Sequence, residues 1–263
     1  MKCVHVDALG LAGPSMANWP DSRALLADES TYRTGESPRC ASKLLPANER
    51  RRVPASARMA LHVAEEAMAQ STLDIDSVCS VFATCHGDAG IINSICVALA
   101  EPERSVSPTQ FHNSVHNAAA GYWAIAAHSP MPSTTVCAYH ASFVAGLMEA
   151  VAQLHVEERP VLLVAYDYPA PDPLAASVGT YVPFAVAMVL TPDATTQSTR
   201  LSIETVRQQP VQGMQCGELE RLRVSNPAAC ALPLLKVLAS GASARVLLPH
   251  VNGLQLAVDV EAG

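Results

Sequence analysis

The sequence contains few charged and few aromatic side chains. Charged residues make up 16% of its 263 residues and aromatic residues 5%, whereas about 25% of an average protein is charged. Hydrophobic residues reach 49%, supplied mainly by Ala, Val and Leu, and this composition excludes an intrinsically disordered chain. The length fits one large domain or two small ones. We expect so apolar a chain to need a partner that covers part of its surface.

The sequence also lacks an excess of basic residues and any long apolar run. The formal net charge is -7, which argues against a nucleic-acid partner. The one basic run, Arg50–Arg52, is interpreted as the solvated start of a helix. No apolar stretch reaches the roughly 18–20 residues that a membrane span needs, and the first residues have no signal-peptide core. We therefore predict a cytoplasmic protein without a membrane span.

Eight cysteines are present, but no two of them form the C-x-x-C pair of zinc knuckles and thioredoxin-like redox sites. Most lie in apolar runs, where a thiol packs as a small hydrophobe, so we expect reduced, structural cysteines. His112 and His116 have the spacing of metal ligands on one helix face, but no third ligand accompanies them. The sequence predicts neither a metal site nor a cofactor.

Hydrophobic periodicity predicts alternating helices and strands. Helices are predicted over residues 53–68, 88–100, 117–127, 142–155 and 231–239, and strands over 75–84, 134–138, 160–166, 183–190, 201–206, 245–248 and 254–260. Residues 11–50 and 105–113 are predicted to be irregular, because Pro, Gly, Ser and Asn interrupt them. This alternation indicates an α/β fold with a mixed sheet. The last seventy residues are expected to pack on the first layer as a shortened second one.

Three segments follow one another in the middle of the chain. They are FHNSVHNAAAGYWAI at residues 111–125, STTVCAYHASFVAGLMEA at 133–150, and VLLVAYD at 161–167 followed by VPFAVAMVL at 182–190. In these segments the sequence resembles the N-terminal half of a β-ketoacyl synthase of the thiolase superfamily, over roughly residues 55–192. The resemblance implies a thiolase-like layered α/β/α fold in a single domain over residues 1–263. It also implies a complete N-terminal half (1–195) and an abbreviated C-terminal half (196–263).

The second segment resembles the family's strand, sharp turn and buried helix, where a nucleophilic cysteine sits at the start of the helix. Aligned through Ser142, Gly146 and Glu149, this chain carries His140 at that position. Acyl transfer there needs a thiolate and an acyl-imidazole would be labile, so no catalytic residue is expected. His140 is interpreted as a buried histidine that hydrogen-bonds the backbone, or else as a contact to substrate or partner. Cys137 is predicted to lie inside the preceding strand and is the alternative nucleophile after a register shift.

The C-terminal part also departs from the family pattern. Complete synthases carry two histidines there, whereas residues 196–263 contain only His250 and lack the Gly-x-x-x-His-Gly-Thr-like signatures. The chain therefore resembles the short chain-length factors that pair with a true ketosynthase, especially in aryl polyene pigment systems and related polyketide or fatty-acid-type biosynthesis. The resemblance implies a non-catalytic subunit that forms a heterodimer with a ketosynthase, shapes its acyl tunnel and meets an acyl carrier protein.

Tunnel and partner contacts are predicted to come from the turn before the buried helix and from the loop around residues 111–116. The candidates are Phe111, His112, Val115, His116, Asn117, Tyr139 and Phe143. Two other functions stay open. One is an autonomous acyltransferase, condensing enzyme or hydrolase that uses His140 or Cys137. The other is a docking module for an acyl carrier protein without a tunnel role.

Overall fold

The computed structural model describes residues 2–195, 198–207 and 209–262. Its strands are β1 (Lys2–Ala12), β2 (Cys79–Ala83), β3 (Ser133–Val136), β4 (Val161–Asp167), β5 (Phe184–Thr191), β6 (Thr199–Arg207), β7 (Ala244–Pro249) and β8 (Leu254–Glu261). Its helices are α1 (Trp19–Ala27), α2 (Ala47–Arg50), α3 (Ala55–Gln70), α4 (Ala89–Ala100), α5 (Pro108–Asn113), α6 (Ala118–Ala127), α7 (Ser142–Glu157), α8 (Ala175–Val178), α9 (Gly217–Ser225) and α10 (Leu232–Ser240). None of these helices is long and apolar enough to span a membrane.

The strands form one mixed sheet in the order β3-β2-β4-β5-β1-β6-β8-β7. Strand β2 pairs in parallel with β3 and β4, whereas the other neighbours are antiparallel. Parallel neighbours need long crossover connections, and the helices α4 to α7 lie in those connections. The mixed α/β sheet that the alternating segments predicted is confirmed.

Helices cover both faces of the sheet. Successive residues of a strand point to opposite sides, so Leu163 packs in one core with α7 and α10, whereas Leu162 and Val164 pack in another with α3 and α6. Every residue of β4 and β5 is buried, which is typical of strands covered on both faces. This is the thiolase-like layered α/β/α arrangement.

Helix α7 approaches the sheet closely at Gly146. A β-carbon at this residue would lie 2.6 Å from Cβ of Ala83 and 3.1 Å from Cδ1 of Leu163, so a larger side chain would displace its neighbours. Because α7 connects β3 to β4, it begins at the end of the sheet formed by the carboxyl ends of β2, β3 and β4. Ligand sites of open α/β sheets concentrate at the carboxyl ends of the strands, which makes this end of the sheet the candidate location of the functional site.

The C-terminal strands extend this sheet instead of forming a shortened layer on the first, so that expectation is wrong. Strand β1 is long enough to pair with a strand from each part of the chain. Its residues 2–6 pair with β6, and its residues 5–12 pair with β5 on the other side. Strands β8 and β7 then continue the sheet beyond β6.

Two segments predicted to be irregular contain helices. The side chain of Asn18 caps α1 by accepting a hydrogen bond from the N–H of Asp21 (2.8 Å), and Pro20 lies in the first turn. Pro108 likewise opens α5. Asn at the cap and Pro in the first turn are helix-start signals. Their Pro- and Gly-rich surroundings obscured them.

Candidate functional site

The chain turns sharply from β3 into α7 over residues 137–141, which we name the elbow. Tyr139 has a left-handed backbone with φ 52°, a conformation that costs a non-glycine residue roughly 1–2 kcal/mol. The hydroxyl of Ser142 fixes the turn, because it accepts from the N–H of Ala138 (3.1 Å) and donates to the carbonyl of Tyr139 (2.6 Å). Strained residues of this kind cluster at functional sites.

The elbow presents its side chains outward. Tyr139 is 56% exposed, and its ring packs edge-on against His140 with 4.0 Å between the ring centroids. His140 is exposed, so its interpretation as a buried histidine is wrong. Cys137 is exposed and is the first residue after β3, which ends at Val136. The prediction that Cys137 lies inside the strand is therefore also wrong.

A second turn, residues 84–88 between β2 and α4, lies beside the elbow. The thiol of Cys137 donates to the carbonyl of Cys85 at 2.9 Å. Gly87 has φ +63°, and a β-carbon there would lie 3.8 Å from Cα of His116. Asp88 ends the turn by capping α4 through the N–H of Ile91 (2.9 Å). The β2–α4 turn thus joins the elbow to the segment before α6.

That third segment comprises α5 and the turn that follows it. Its exposed residues include Phe111, His112, Val115 and Asn117. The amide of Asn113 holds it in place by donating to the carbonyl of Arg52 (2.8 Å) and accepting from the hydroxyl of Tyr122 (2.8 Å). A cleft of about 670 Å³ opens between α4, α5 and the residues after β4, with Arg52, Asp88 and Asn113 in its wall.

A buried carboxyl group lies beneath these turns. Asp167, the last residue of β4, is 1% exposed. Its Oδ1 accepts from the hydroxyl of Thr84 (3.0 Å) and the N–H of Cys85 (2.8 Å), whereas its Oδ2 has no partner among the described residues. Burial raises the pKa of Asp167 to about 7. Burial, and then the charges of Asp167 and Cys137, raise the pKa of the Cys85 thiol to about 12, so Cys85 stays protonated.

The arrangement contains groups for hydrogen bonding and apolar contact but no assembled metal site. No group of three or more His, Cys, Asp or Glu side chains suited to a metal ion occurs within residues 2–195, 198–207 and 209–262. Among the described residues of the elbow, Cys137 is the one cysteine, and it is exposed. The strained position itself carries Tyr139, which offers a phenol and not a thiol.

A sequence comparison identifies the family. The profile of the β-ketoacyl synthase N-terminal domain matches residues 18–245. The chain belongs to the β-ketoacyl synthase family. This confirms the resemblance that the segments between residues 111 and 190 carry. A comparison with curated protein sequences finds no match.

Solved β-ketoacyl synthase structures share the fold over the whole chain. A chain of the ketosynthase ApeO in complex with its chain length factor ApeC from Xenorhabdus doucetiae has a TM-score of 0.76 at 23% identity, covering 98% of this chain and 99% of that one. A chain of the ishigamide ketosynthase/chain length factor has a TM-score of 0.71 at 13% identity, covering 100% and 99%. A chain of AntDE:AntF, a type II polyketide synthase acyl-carrier protein in complex with its ketosynthase bound to the hexaketide, has a TM-score of 0.73 at 13% identity, covering 100% and 99%.

The β-ketoacyl synthase fold brings most of the predicted site residues to the carboxyl ends of the parallel strands. Tyr139 and His140 lie on the elbow, and the residues from Phe111 to Asn117 lie across the β2–α4 turn from it. Phe143 is the exception, because its side chain is fully buried in the core beneath α7. Its side chain reaches no surface at this end of the sheet.

Sequence reasoning missed Asp167 as part of this site. Asp167 directly follows the apolar residues 161–165 and Tyr166 at the end of a buried strand. An acidic residue in that position is rarely buried without a partner, and this signal could have identified it.

Proposed function

We propose that the chain is a non-catalytic, chain-length-factor-type subunit that forms a heterodimer with a true β-ketoacyl synthase and shapes its acyl tunnel. The observation that carries the proposal is the elbow. Its strained residue is Tyr139 and the next is His140, so neither position offers the thiol that an acyl-enzyme requires. Solved relatives named as complexes of a ketosynthase with a chain length factor support the same assignment.

An exposed apolar surface beside the elbow favours a protein partner. We name it the apolar face, and its residues are Ile92, Val97, Leu99, Phe111 and Val115, each 39–68% exposed. Only Ala89 of the twelve residues of α4 is buried, although this helix is almost entirely apolar. A monomeric protein rarely exposes so apolar a helix.

The two edge strands of the sheet, β7 and β3, also favour a partner on the side of the elbow. At the β7 edge, the side-chain amide of Gln212 bonds the carbonyl of Arg245 (3.1 Å) and the N–H of Leu247 (3.3 Å), which blocks strand addition. Strand β3 forms the opposite edge, next to the elbow. We infer that the partner covers β3 and the apolar face together.

A basic surface supports contact with an acyl carrier protein. Between residues 39 and 58 the sequence has six basic residues and one acidic residue, although the whole chain has a net charge of -7. The six exposed basic side chains are Arg39, Lys43, Arg50, Arg51, Arg52 and Arg58. Within the described ranges none of them forms an ion pair. Unpaired positive charge of this kind steers and orients an acidic partner, and the solved AntDE:AntF complex contains such a carrier.

Co-purification with a cysteine-containing ketosynthase from the same gene neighbourhood tests the pairing. Phe111→Asp and Val115→Asp place a charge in the apolar face and should abolish co-purification. Val156→Asp is the matched control, because Val156 is 76% exposed at the far end of α7, and it should leave co-purification intact. A chain that stays monomeric and equally soluble with or without the synthase contradicts the proposal.

The tunnel role is tested in the reconstituted complex. Phe111→Ala removes side-chain volume at the proposed tunnel contact and Val115→Phe adds volume there, so the two should shift product length in opposite directions while condensation continues. The proposal includes aryl polyene or related polyketide and fatty-acid-type products, made in the cytoplasm, and mass spectrometry of the products decides the class. Unchanged product lengths in both variants would leave the chain with a supporting role only.

Charge reversal tests the carrier contact separately. Arg51→Glu with Arg52→Glu should weaken binding of the acyl carrier protein to the complex and reduce its salt dependence. Arg159→Glu, an exposed arginine beyond α7, should have little effect. Equal affinities would place the carrier contact elsewhere.

An autonomous acyltransferase is a second candidate, favoured by the exposure of the Cys137 thiol at the elbow. Incubation with an acyl-thioester followed by mass spectrometry tests it. Acylation that disappears in Cys137→Ala but persists in Cys96→Ala, which removes an exposed thiol of α4, would establish this function over the non-catalytic one.

A further inference from the structure

His86 and His116 lie together at the junction of the two segments that carry the apolar face. His86 is two residues before Asp88, which caps α4. His116 follows Val115 directly, and its Cα and Cδ2 would lie 3.8 and 3.9 Å from a β-carbon at Gly87. His116 is therefore packed on the turn that carries His86.

The two imidazoles are poorly satisfied in this position. Both ring nitrogens of His86 and Nε2 of His116 are shielded from solvent and have no hydrogen-bond partner among the described residues. An enclosed polar atom without a partner destabilises the packing around it. A protonated imidazole carries two N–H donors and a charge, so its cost in the same place is larger.

The surroundings favour the neutral rings. Burial lowers the pKa of both histidines and is the largest influence on each. Nearby backbone groups of Tyr168 and Thr84 raise the pKa of His86 and of His116, respectively, and the charge of His116 lowers the pKa of His86. Asp88 acts in the opposite direction on the pKa of His86. Its carboxylate is engaged by the N–H of Ile91 (2.9 Å) and the hydroxyl of Ser56 (2.7 Å).

The other ionisable groups near the pair lie on three elements. They are the thiol of Cys85 on the turn, the thiol of Cys137 on the elbow, and the carboxyl of Asp167 at the end of β4. Cys85 remains neutral because burial raises its pKa to about 12. Asp167 loses charge as the pH falls, because its pKa is about 7. The negative charge of Asp167 therefore decreases on acidification and does not offset the positive charge that a histidine gains.

We propose that His86 and His116 form a proton-sensitive latch. While both rings are neutral, they hold the β2–α4 turn against residues 111–117. Protonation drives the turn and the segment apart, because it places two like charges side by side on partly buried rings. The consequence for a partner, a weaker hold on a ketosynthase at acidic pH, rests on the proposed function, whereas the latch itself does not.

The lowered pKa values of the two histidines decide how the stability of the closed latch depends on pH. A histidine whose pKa is lower in the closed state binds its proton more readily when that state opens. The closed state is therefore fully stable above about pH 6.5, the ordinary histidine value, and loses stability as the pH falls below it. The opening constant should rise about tenfold for each unit by which the closed-state pKa lies below the ordinary value.

Hydrogen–deuterium exchange of the purified chain tests the latch without any partner. Protection, corrected for intrinsic exchange rates, should fall between pH 7.5 and pH 5.5 in peptides covering residues 84–92 and 111–118. A peptide from the core helix α3 should be unchanged. His116→Gln removes one of the two like charges, so its protection should fall less between the two pH values than that of the wild type. His155→Gln, which removes an exposed histidine of α7, should keep the response of the wild type.

Two results overturn the latch. One is unchanged protection of both peptides while nuclear magnetic resonance shows both imidazoles gaining protons. The other is a wild-type pH response in His116→Gln. If that variant does not fold, the wild-type exchange and titration data decide the question alone. Failure of the chain to bind a ketosynthase refutes the proposed function and leaves these measurements unaffected.

Discussion

Replacing the buried carboxyl of Asp167 with an amide should remove a pH dependence from the stability of the protein. Asp167→Asn keeps an oxygen that can accept from Thr84 and Cys85. It removes the group whose pKa burial raises to about 7. The ordinary pKa of an aspartate, which the unfolded chain retains, is about 3.9.

The size and sign of the effect follow from these two values. Between pH 3.9 and 7 the folded protein binds a proton that the unfolded chain does not, so the free energy of unfolding falls by about 1.4 kcal/mol for each pH unit of increase. Above pH 7 neither state binds the proton and the dependence ends. Acidification from pH 7.5 to 5.5 therefore stabilises the wild type by about 2 kcal/mol through this group. Asp167→Asn lacks that gain.

Urea denaturation at the two pH values measures the difference. The histidine pair titrates in the same window with the opposite sign, but it is common to both proteins and cancels when the variant is compared with the wild type. Asp74→Asn, at an exposed aspartate, should behave as the wild type. If wild type and Asp167→Asn change by the same amount, the carboxyl is ionised throughout the window and the reasoning from its burial is refuted.

Four further substitutions test side-chain contacts and close packing in the fold. Asn226→Ala removes the side chain that bonds two carbonyls and two N–H groups of the surrounding backbone, and it should lower the free energy of unfolding in urea by about 2–4 kcal/mol. Gly146→Ala places a methyl group 2.6 Å from Cβ of Ala83 and should cost about 1–3 kcal/mol, measured as a lower Tm. Gly121→Ala, which meets no atom within 4 Å, should raise the Tm slightly or leave it unchanged. Gln212→Ala opens the β7 edge and should give concentration-dependent aggregation in light scattering; a variant that stays monodisperse contradicts the blocking role.

The sequence by itself determined the elements whose burial is nearly complete. The apolar runs at residues 161–166 and 184–190 and the helical spacing at 57–68 and 142–155 predict strands and helices that the structure contains. The reason is local, because the period of the apolar residues records which sides of an element are covered. The same segments carry the family resemblance and place the elbow between a strand and a helix.

Only the tertiary structure decided how these elements meet. No local pattern indicates that β1 pairs with β5 on one side and with β6 on the other, because strand partners are chosen by contacts between residues far apart in the chain. The same holds for the site, where His86, His116, Cys137 and Asp167 come from four separate segments. The direction of a side chain is also decided there: Phe143 points into the core, while Tyr139, four residues earlier, is exposed on the elbow.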